Sequence, residues 1–427
     1  MDNNEYISLV LFAGNDIASL EKCLCRILDY TPVQGCELIV VETTADRNMD
    51  EYLSRLPNIQ LVRYDNSMTA GAGWCRGAEL ASGENIVFMR DSVWVTNGWL
   101  AAMKGVLSAN PSAGIAQLPF KGGQEYIRGD VLYASAFCFM VRKKALESVG
   151  GFQREYQIGD YGVFDLSARL LKQGWHIMAE PGCPLELSCQ PAIPYTDAQE
   201  EHDILLFSRL NGYRWGYSSM VRHDMLQMMD YKKPGLKILE IGCACGATLM
   251  TIKNVNPAAR LYGLELSEPA SAIAANFAEV NAGNFETMER EDFDGSFDYV
   301  IMGDVLEHLF DTDNALKKVH KWLKPGGRLV VSVPNIAHIS ILAQQLQGDW
   351  EYVDAGILDR THVRFFTEQT IQLYLLKNGY KVKQIGRKQL AIGEKGEELC
   401  QELMELKSVK VSMDNLTTYQ IICVAEK

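Results

Sequence analysis

Lys237-Ile238-Leu239-Glu240-Ile241-Gly242-Cys243-Ala244-Cys245-Gly246 is an apolar strand that ends in an acid and runs into a loop of small residues. Such a loop lets backbone amides approach a ligand closely, and the helix that follows opens with partial positive charge at its N-terminus. A nucleotide-like cofactor is the occupant this arrangement predicts. The spacing Gly242-x-Ala244-x-Gly246 stops short of the Gly-x-Gly-x-x-Gly of dinucleotide sites, and Glu240 stands just ahead of Gly242. Both features separate the stretch from an NAD fingerprint.

Outward from this stretch, strand-like segments at 237–241, 260–264, 299–302 and 328–333 alternate with helical ones. Segments 380–386 and 417–425 read as late strands that close the sheet, with a helix at 397–407 between them. Residues 1–195 carry an alternation of their own: buried strands at 6–12, 37–41 and 85–89, and a helix at 17–28 capped by Asn15-Asp16. Between the two lie the acidic pair Glu200-Glu201 and the run Tyr213-Arg214-Trp215-Gly216-Tyr217, which read as a linker turning into a helical lead-in. The chain of 427 residues exceeds one ordinary core. We expect an α/β protein with a domain at 1–195, a linker and lead-in at 196–234, and a second domain at 235–427.

A composition of 47% hydrophobic and 22% charged residues describes a soluble globular chain. Its 54 acids against 41 bases leave a net charge of −13, which opposes nucleic acid as a partner. No targeting or membrane-spanning segment is evident, so a cytoplasmic location is expected. The spacing of the 11 cysteines fits neither a disulfide framework nor a zinc site. Cys243 and Cys245 read as small side chains in a tight loop.

In a doubly wound sheet, ligands sit beyond the carboxyl ends of the strands, and Glu240, Glu265 and Asp304 all fall at such ends. Glu265, in Tyr262-Gly263-Leu264-Glu265-Leu266, is placed to accept hydrogens from a ribose diol. The run Phe297-Asp298-Tyr299-Val300-Ile301-Met302-Gly303-Asp304-Val305-Leu306-Glu307-His308-Leu309 is followed by Leu323-Lys324-Pro325-Gly326-Gly327-Arg328-Leu329-Val330-Val331. With the opening stretch, these runs resemble class I S-adenosylmethionine-dependent methyltransferases over residues 212–427. The likeness is to the group that holds ubiquinone- and menaquinone-pathway enzymes and many sugar and small-molecule O-methyltransferases. It implies a Rossmann-like fold in which Glu240, Gly242, Cys243, Ala244, Cys245, Gly246, Glu265 and Leu266 bind S-adenosylmethionine. Asn284 would lie near the adenine and Asp304 near the methionine end. Ala244 replaces the usual middle glycine, and Asn284 replaces the usual acid.

Methyl transfer from a sulfonium is an in-line displacement, and a hydroxyl acceptor must also lose a proton. His308, His338 and His362 are the candidates for that base, with capping or packing as the alternative for each. Glu307, His308, His338 and His362 are also of a type that gathers a divalent metal.

The stretch Ala70-Gly71-Ala72-Gly73-Trp74-Cys75-Arg76-Gly77 through Met89-Arg90-Asp91, and the later run Val149-Gly150-Gly151-Phe152 through Asp165-Leu166-Ser167-Ala168-Arg169-Leu170, resemble family 2 glycosyltransferases of the GT-A fold over residues 5–190. That likeness implies a nucleotide-diphospho-sugar transferase fold. Glu42 and Asp91 would hold the sugar nucleotide, Asp91 would bind Mn²⁺ or Mg²⁺, and Asp160 would be the base. Three departures stand out: Met89-Arg90-Asp91 keeps one acid of the usual pair, the usual Glu-Asp falls on Gly162-Val163, and Cys75 replaces a common asparagine. Asp165 is expected to position its helix.

The leading expectation is O-methylation of a sugar or glycan intermediate. One alternative is a bifunctional glycosyltransferase and methyltransferase of surface polysaccharide or glycan biosynthesis. Another makes the N-terminal half a non-catalytic glycan-binding or docking module. A small molecule or glycan is the expected acceptor partner.

Overall fold

Seven consecutive buried residues make β1 (Ile7–Ala13) the centre of a sheet covered on both sides. It pairs in parallel with β2 (Cys36–Glu42) and β4 (Asn85–Arg90). The computed structural model describes residues 6–32, 34–63, 68–123, 128–188 and 195–427. These fall into two units, Met1–Ser219 and Met220–Lys427.

In the first unit β3 (Gln60–Val62) extends the sheet beyond β2. A short pair, β5 (Val93–Trp94) with β10 (Glu186–Leu187), stands apart. The strands β6 (Ala113–Gln117), β7 (Gly129–Asp130), β8 (Cys138–Arg142) and β9 (His176–Ala179) complete the order β3-β2-β1-β4-β8-β6-β9-β7. The helix Ala70–Leu80 lies so close to the sheet that a Cβ at Gly77 would come within 2.5 Å of Val10 Cγ1. One at Gly71 would meet the Gln153 carbonyl at 2.3 Å. The small residues of this helix therefore serve packing, and its Trp74 joins Phe12, Phe88, Phe139 and Phe152 with ring centroids 4.3–5.8 Å away.

Residues 196–219, expected as a linker, belong to the first unit. Thr196 and Gln199 form a capping box that starts the helix Asp197–Asn211. Its fully buried Asp203 accepts the amides of Gln157 at 3.1 Å and Ile158 at 2.7 Å. Asn211 donates to Asp165 at 2.9 Å, and Trp215 stacks on Phe164 with centroids 4.5 Å apart. Leu206 and Phe207 are buried between Asp203 and Asn211 along this helix, while Ile204, Leu205 and Leu210 stay exposed. Apolar residues on both faces blur the periodicity. Asp165, bonded also to Arg169 at 2.8 Å, positions its helix as expected.

The second unit has β11 (Lys237–Ile241), β12 (Arg260–Glu265), β13 (Glu279–Ala282), β14 (Phe297–Gly303), β15 (Leu323–Pro334), β16 (Lys381–Gln389) and β17 (Thr418–Glu426) in the order β13-β12-β11-β14-β15-β17-β16. The first five are parallel, and β17 runs antiparallel between β15 and β16. The order reverses at β11 and β14, which opens a crevice at their carboxyl ends. Among the described residues no helix is long and apolar enough to cross a membrane.

Asp203→Ala is expected to lower stability by about 1–3 kcal/mol, because two buried amides lose their acceptor. Urea unfolding followed by tryptophan fluorescence measures it; an unchanged midpoint would show that the helix Asp197–Asn211 is dispensable to the first unit.

Candidate active site

The loop after β11 turns through three left-handed residues, Gly242 (φ 72°), Ala244 (φ 47°) and Gly246 (φ 77°). A Cβ at Gly242 would come within 2.8 Å of Val305 Cγ2, and one at Gly246 within 2.9 Å of Ala274 Cβ. Close approach and backbone conformation both demand glycine at these two positions. Much of the loop's hydrogen bonding is internal. The Gly242 amide donates to Leu264 O at 2.8 Å, and the Ala244 amide to Glu265 Oε2 at 2.9 Å. Glu265 Oε1 accepts the Ser267 amide at 2.7 Å, so this carboxylate braces two loops at once. Cys243 packs where Gly263 leaves space, and burial, then Glu240 and Glu265, push its thiol well above the ordinary value. It is a structural side chain, as the sequence suggests. Leu266 next door is 74% exposed, and Asn284 is exposed with its Oδ1 accepting the Glu286 amide at 2.8 Å.

A group that sequence reasoning missed organises the next strand end. Arg222, just before the short helix His223–Leu226, donates to Asp224 through Nε and Nη2, each at 3.0 Å. It also donates to Asp304 Oδ2 at 3.0 Å and to Ser332 Oγ at 3.0 Å. Asp304, itself left-handed (φ 56°), accepts from Ser332 Oγ at 2.8 Å and from the Gln420 amide. A Cβ at Gly303 would lie 2.7 Å from the guanidinium, so the strand ends on glycine. The signal available was a lone arginine in the apolar stretch Met220-Val221-Arg222, ahead of Met225-Leu226. Arg222 also reaches Glu240 through Thr248, whose hydroxyl accepts the Arg222 amide at 3.3 Å and bonds the Glu240 carboxyl. Burial pushes the Glu240 carboxyl up to about 8, against the Thr248 bond and the Arg222 charge. Its Oε2 is buried without a hydrogen-bond partner among the described residues.

Beyond Asp304 the chain makes a short helical turn, Leu306–His308. The Glu307 carbonyl accepts the amides of Val363 at 2.8 Å and Arg364 at 3.1 Å, which draws His362 beside His308 with ring centroids 4.8 Å apart. Glu307, His308 and His362 each offer a ligand atom, all within 4.8 Å of one another. Neither Glu307 carboxylate oxygen has a hydrogen-bond partner among the described residues, and burial, then Asp304, holds this acid well above the usual carboxylate range. Burial and His362 depress His308, which is neutral at pH 7. His338, expected with this group, is not part of it. Its Nδ1 accepts the Ser340 amide and caps the helix Ile339–Leu346, and its ring stands edge-on to Tyr419 at 5.5 Å.

In the first unit, Glu42 and Asp91 follow the carboxyl ends of β2 and β4, on either side of β1. Asp91 accepts the Gly14 amide at 2.7 Å, and burial raises its carboxyl to about 6. It stitches the β1 and β4 loops together. No metal-ligand group gathers around it among the described residues. Asp160, expected as a base, is instead bound at 2.7 Å by Arg90, which lies between Met89, where the second acid would stand, and Asp91. Arg90 is fixed in turn against the Phe137 ring at 4.9 Å.

Residues 216–385 match the family described as methyltransferase domain. The second half of the chain carries a methyltransferase domain. A demethylmenaquinone methyltransferase from Bacillus cytotoxicus is 30% identical over 116 residues, which is 26% of this chain and 48% of that protein. An uncharacterized protein of transposon TN4556 from Streptomyces fradiae is 31% identical over 40% of this chain and 46% of its own length. The chain spans about half the length of the curated relatives it matches. Among solved structures, an S-adenosylmethionine dependent methyltransferase from Mesorhizobium loti is 18% identical over 48% of this chain and 96% of that one, with TM-score 0.34. The structure of GalNAc-T7 with UDP, GalNAc and Mn²⁺ is 13% identical over 44% of each chain, with TM-score 0.39.

Arg222→Met is expected to destabilise the fold by about 3–5 kcal/mol, since it strands Asp224 and Asp304. Adding Asp304→Asn should recover part of that loss in a double-mutant cycle read by thermal unfolding; strictly additive effects would show that the pair is uncoupled. Glu240 gives a pH test. With its folded value raised to about 8, its contribution to stability is full below the unfolded carboxylate value and is lost as pH rises through 8. Glu240→Gln should therefore flatten the fall in melting temperature between pH 5 and 9; parallel profiles for the two proteins would contradict it.

Proposed function

We propose that the second unit transfers a methyl group from S-adenosylmethionine to a hydroxyl oxygen of a saccharide acceptor, and that the first unit binds saccharide without transferring it. One observation carries the methyl-transfer reading. At the switch point of the second sheet, Glu240, Glu265 and Asp304 stand at the strand ends, with Arg222 as the organising cation. A crevice with surplus buried acid favours a cationic ligand, and a sulfonium with an amino group is one.

The residues present fit that cofactor. Glu240 Oε2 lacks a partner, and the positions of Gly242 and Gly246 have no room for a Cβ. Each Glu265 oxygen accepts one bond from a loop amide and keeps capacity for a ribose hydroxyl. Exposed Leu266 would offer an apolar face to the base, with Asn284 beyond β13, and the resemblance puts Asp304 near the methionine end. Bound S-adenosylmethionine supplies an electrophilic methyl for in-line displacement. The chain's work is to align the acceptor oxygen and keep water out. Its proton leaves at the corner formed by Glu307, His308 and His362, which the arginine network does not use.

The saccharide assignment rests on the resemblance of the first half to family 2 glycosyltransferases. Binding without transfer is favoured by the Arg90–Asp160 pair and by the commitment of Asp91 to the Gly14 amide. A nucleotide diphosphate with its metal requires more than one free carboxylate, and Asp160 is taken by Arg90.

Glu265→Ala should weaken S-adenosylhomocysteine binding by about 10–100-fold in calorimetry, the scale of lost charge-assisted hydrogen bonds. Unchanged affinity would overturn the assignment. In the first unit, UDP-sugars with Mn²⁺ should give no thermal shift; a metal-dependent shift would restore the bifunctional reading.

A further inference from the structure

Both imidazoles at the Glu307 corner have one nitrogen committed to backbone. His362 Nδ1 lies 2.9 Å from the Ile357 carbonyl, and His308 Nδ1 lies 3.1 Å from Thr361 Oγ1 and 3.3 Å from the Thr361 carbonyl. The Thr361 hydroxyl donates its one proton to Asp359 at 2.6 Å, so every oxygen facing an Nδ1 accepts, each Nδ1 carries the proton and each Nε2 keeps its lone pair. This is the arrangement that orients histidine as a metal ligand. Beside them, Glu307 is 1% exposed with both carboxylate oxygens unpartnered among the described residues. A buried carboxylate without a partner is costly, and two basic nitrogens next to it offer no hydrogen once their Nδ1 protons are placed. A cation satisfies all three groups at once.

We propose that Glu307, His308 and His362 form a divalent metal site that takes the acceptor hydroxyl as a further ligand. Two imidazoles and one carboxylate suit Zn²⁺, Mn²⁺, Fe²⁺ or Co²⁺ better than Mg²⁺ or Ca²⁺, and three protein ligands leave positions open. The proposal rests on the methyltransferase reading and deepens it, because it gives the corner a chemical task. A metal-bound hydroxyl gives up its proton to water more readily than a free one. The new O–C bond then forms at the methyl carbon as the C–S bond breaks, its electron pair passing to sulfur to leave a neutral thioether, and the cation is unchanged. On this view neither histidine is the general base.

The test uses the full chain, stripped with chelator and dialysed against Co²⁺. The wild type should bind one equivalent with visible d–d absorption, and His308→Ala/His362→Ala should bind at least about 10-fold more weakly without that spectrum. Glu307→Gln, which keeps the shape of the buried side chain, should weaken binding in the same direction. S-adenosylhomocysteine affinity, read by calorimetry, should stay within about twofold in all variants, which certifies their fold and separates this proposal from the methyltransferase reading. Co²⁺ uptake equal in wild type and variants, or absent from a wild type that binds S-adenosylhomocysteine, overturns the metal site and leaves the cofactor site standing.

Discussion

One guanidinium holds the second unit's crevice together. It bonds Asp224, Asp304 and Ser332, while the backbone amide of the same Arg222 donates to Thr248, which bonds Glu240. Its position dictates local covalent choices: Gly303 has no Cβ because the guanidinium is there, and Asp304 accepts a left-handed backbone to keep its carboxylate aimed at it. Left-handed conformation costs a non-glycine residue about 1–2 kcal/mol, a sum that a buried ion pair with three further hydrogen bonds can offset. Ends of β14, β15 and β17 are thereby tied to the segment that enters the sheet, since Ser332 and Gln420 join the same network.

The arginine does not balance every acid around it. Glu240 and Glu307 remain buried with unpartnered oxygens, and both carboxyls are raised by burial. Such groups are a standing cost to the empty fold, and natural chains keep them where a ligand compensates. The two belong to neighbouring strands, Glu240 within β11 and Glu307 on the turn after β14. Their separation favours two distinct cationic requirements over one. A sulfonium nucleoside at the glycine loop meets the first, and a divalent ion between two imidazoles meets the second.

How much of this the chain declared in advance depends on the kind of force involved. The strands at 237–241, 260–264 and 299–302 were legible because buried parallel strands are continuous apolar runs bounded by glycine and acid. Strand β13 was not, since its four residues lie at the sheet edge and are half exposed. A helical lead-in was expected after residue 196, but not that the helix Asp197–Asn211 belongs to the first unit: its buried stripe of Asp203, Leu206, Phe207 and Asn211 is half polar, and apolar Ile204, Leu205 and Leu210 are exposed. At the site, Glu265 was read as a ribose acceptor, but its bonds to the Ala244 and Ser267 amides depend on two loops meeting in space. His308 and His362 meet only because the Glu307 carbonyl takes two amides from a distant segment. Spacing along a chain holds no record of such closures.

The first unit shows the converse, a frame that outlasts the chemistry its sequence suggests. The glycines of the helix Ala70–Leu80 are explained by contact with Val10 and Gln153, and the aromatic cluster around Trp74 is core. Those are packing constraints, and they explain why the resemblance to glycosyltransferases persists. The positions that face a ligand carry no such constraint. There, Met89 replaces an acid, and the neighbouring Arg90 has captured Asp160 and turned two groups of opposite charge into a closed pair. A carboxylate so held neither binds a metal nor takes a proton without first breaking a 2.7 Å charge-assisted bond. On the proposed reading, fold and reaction part company at Arg90.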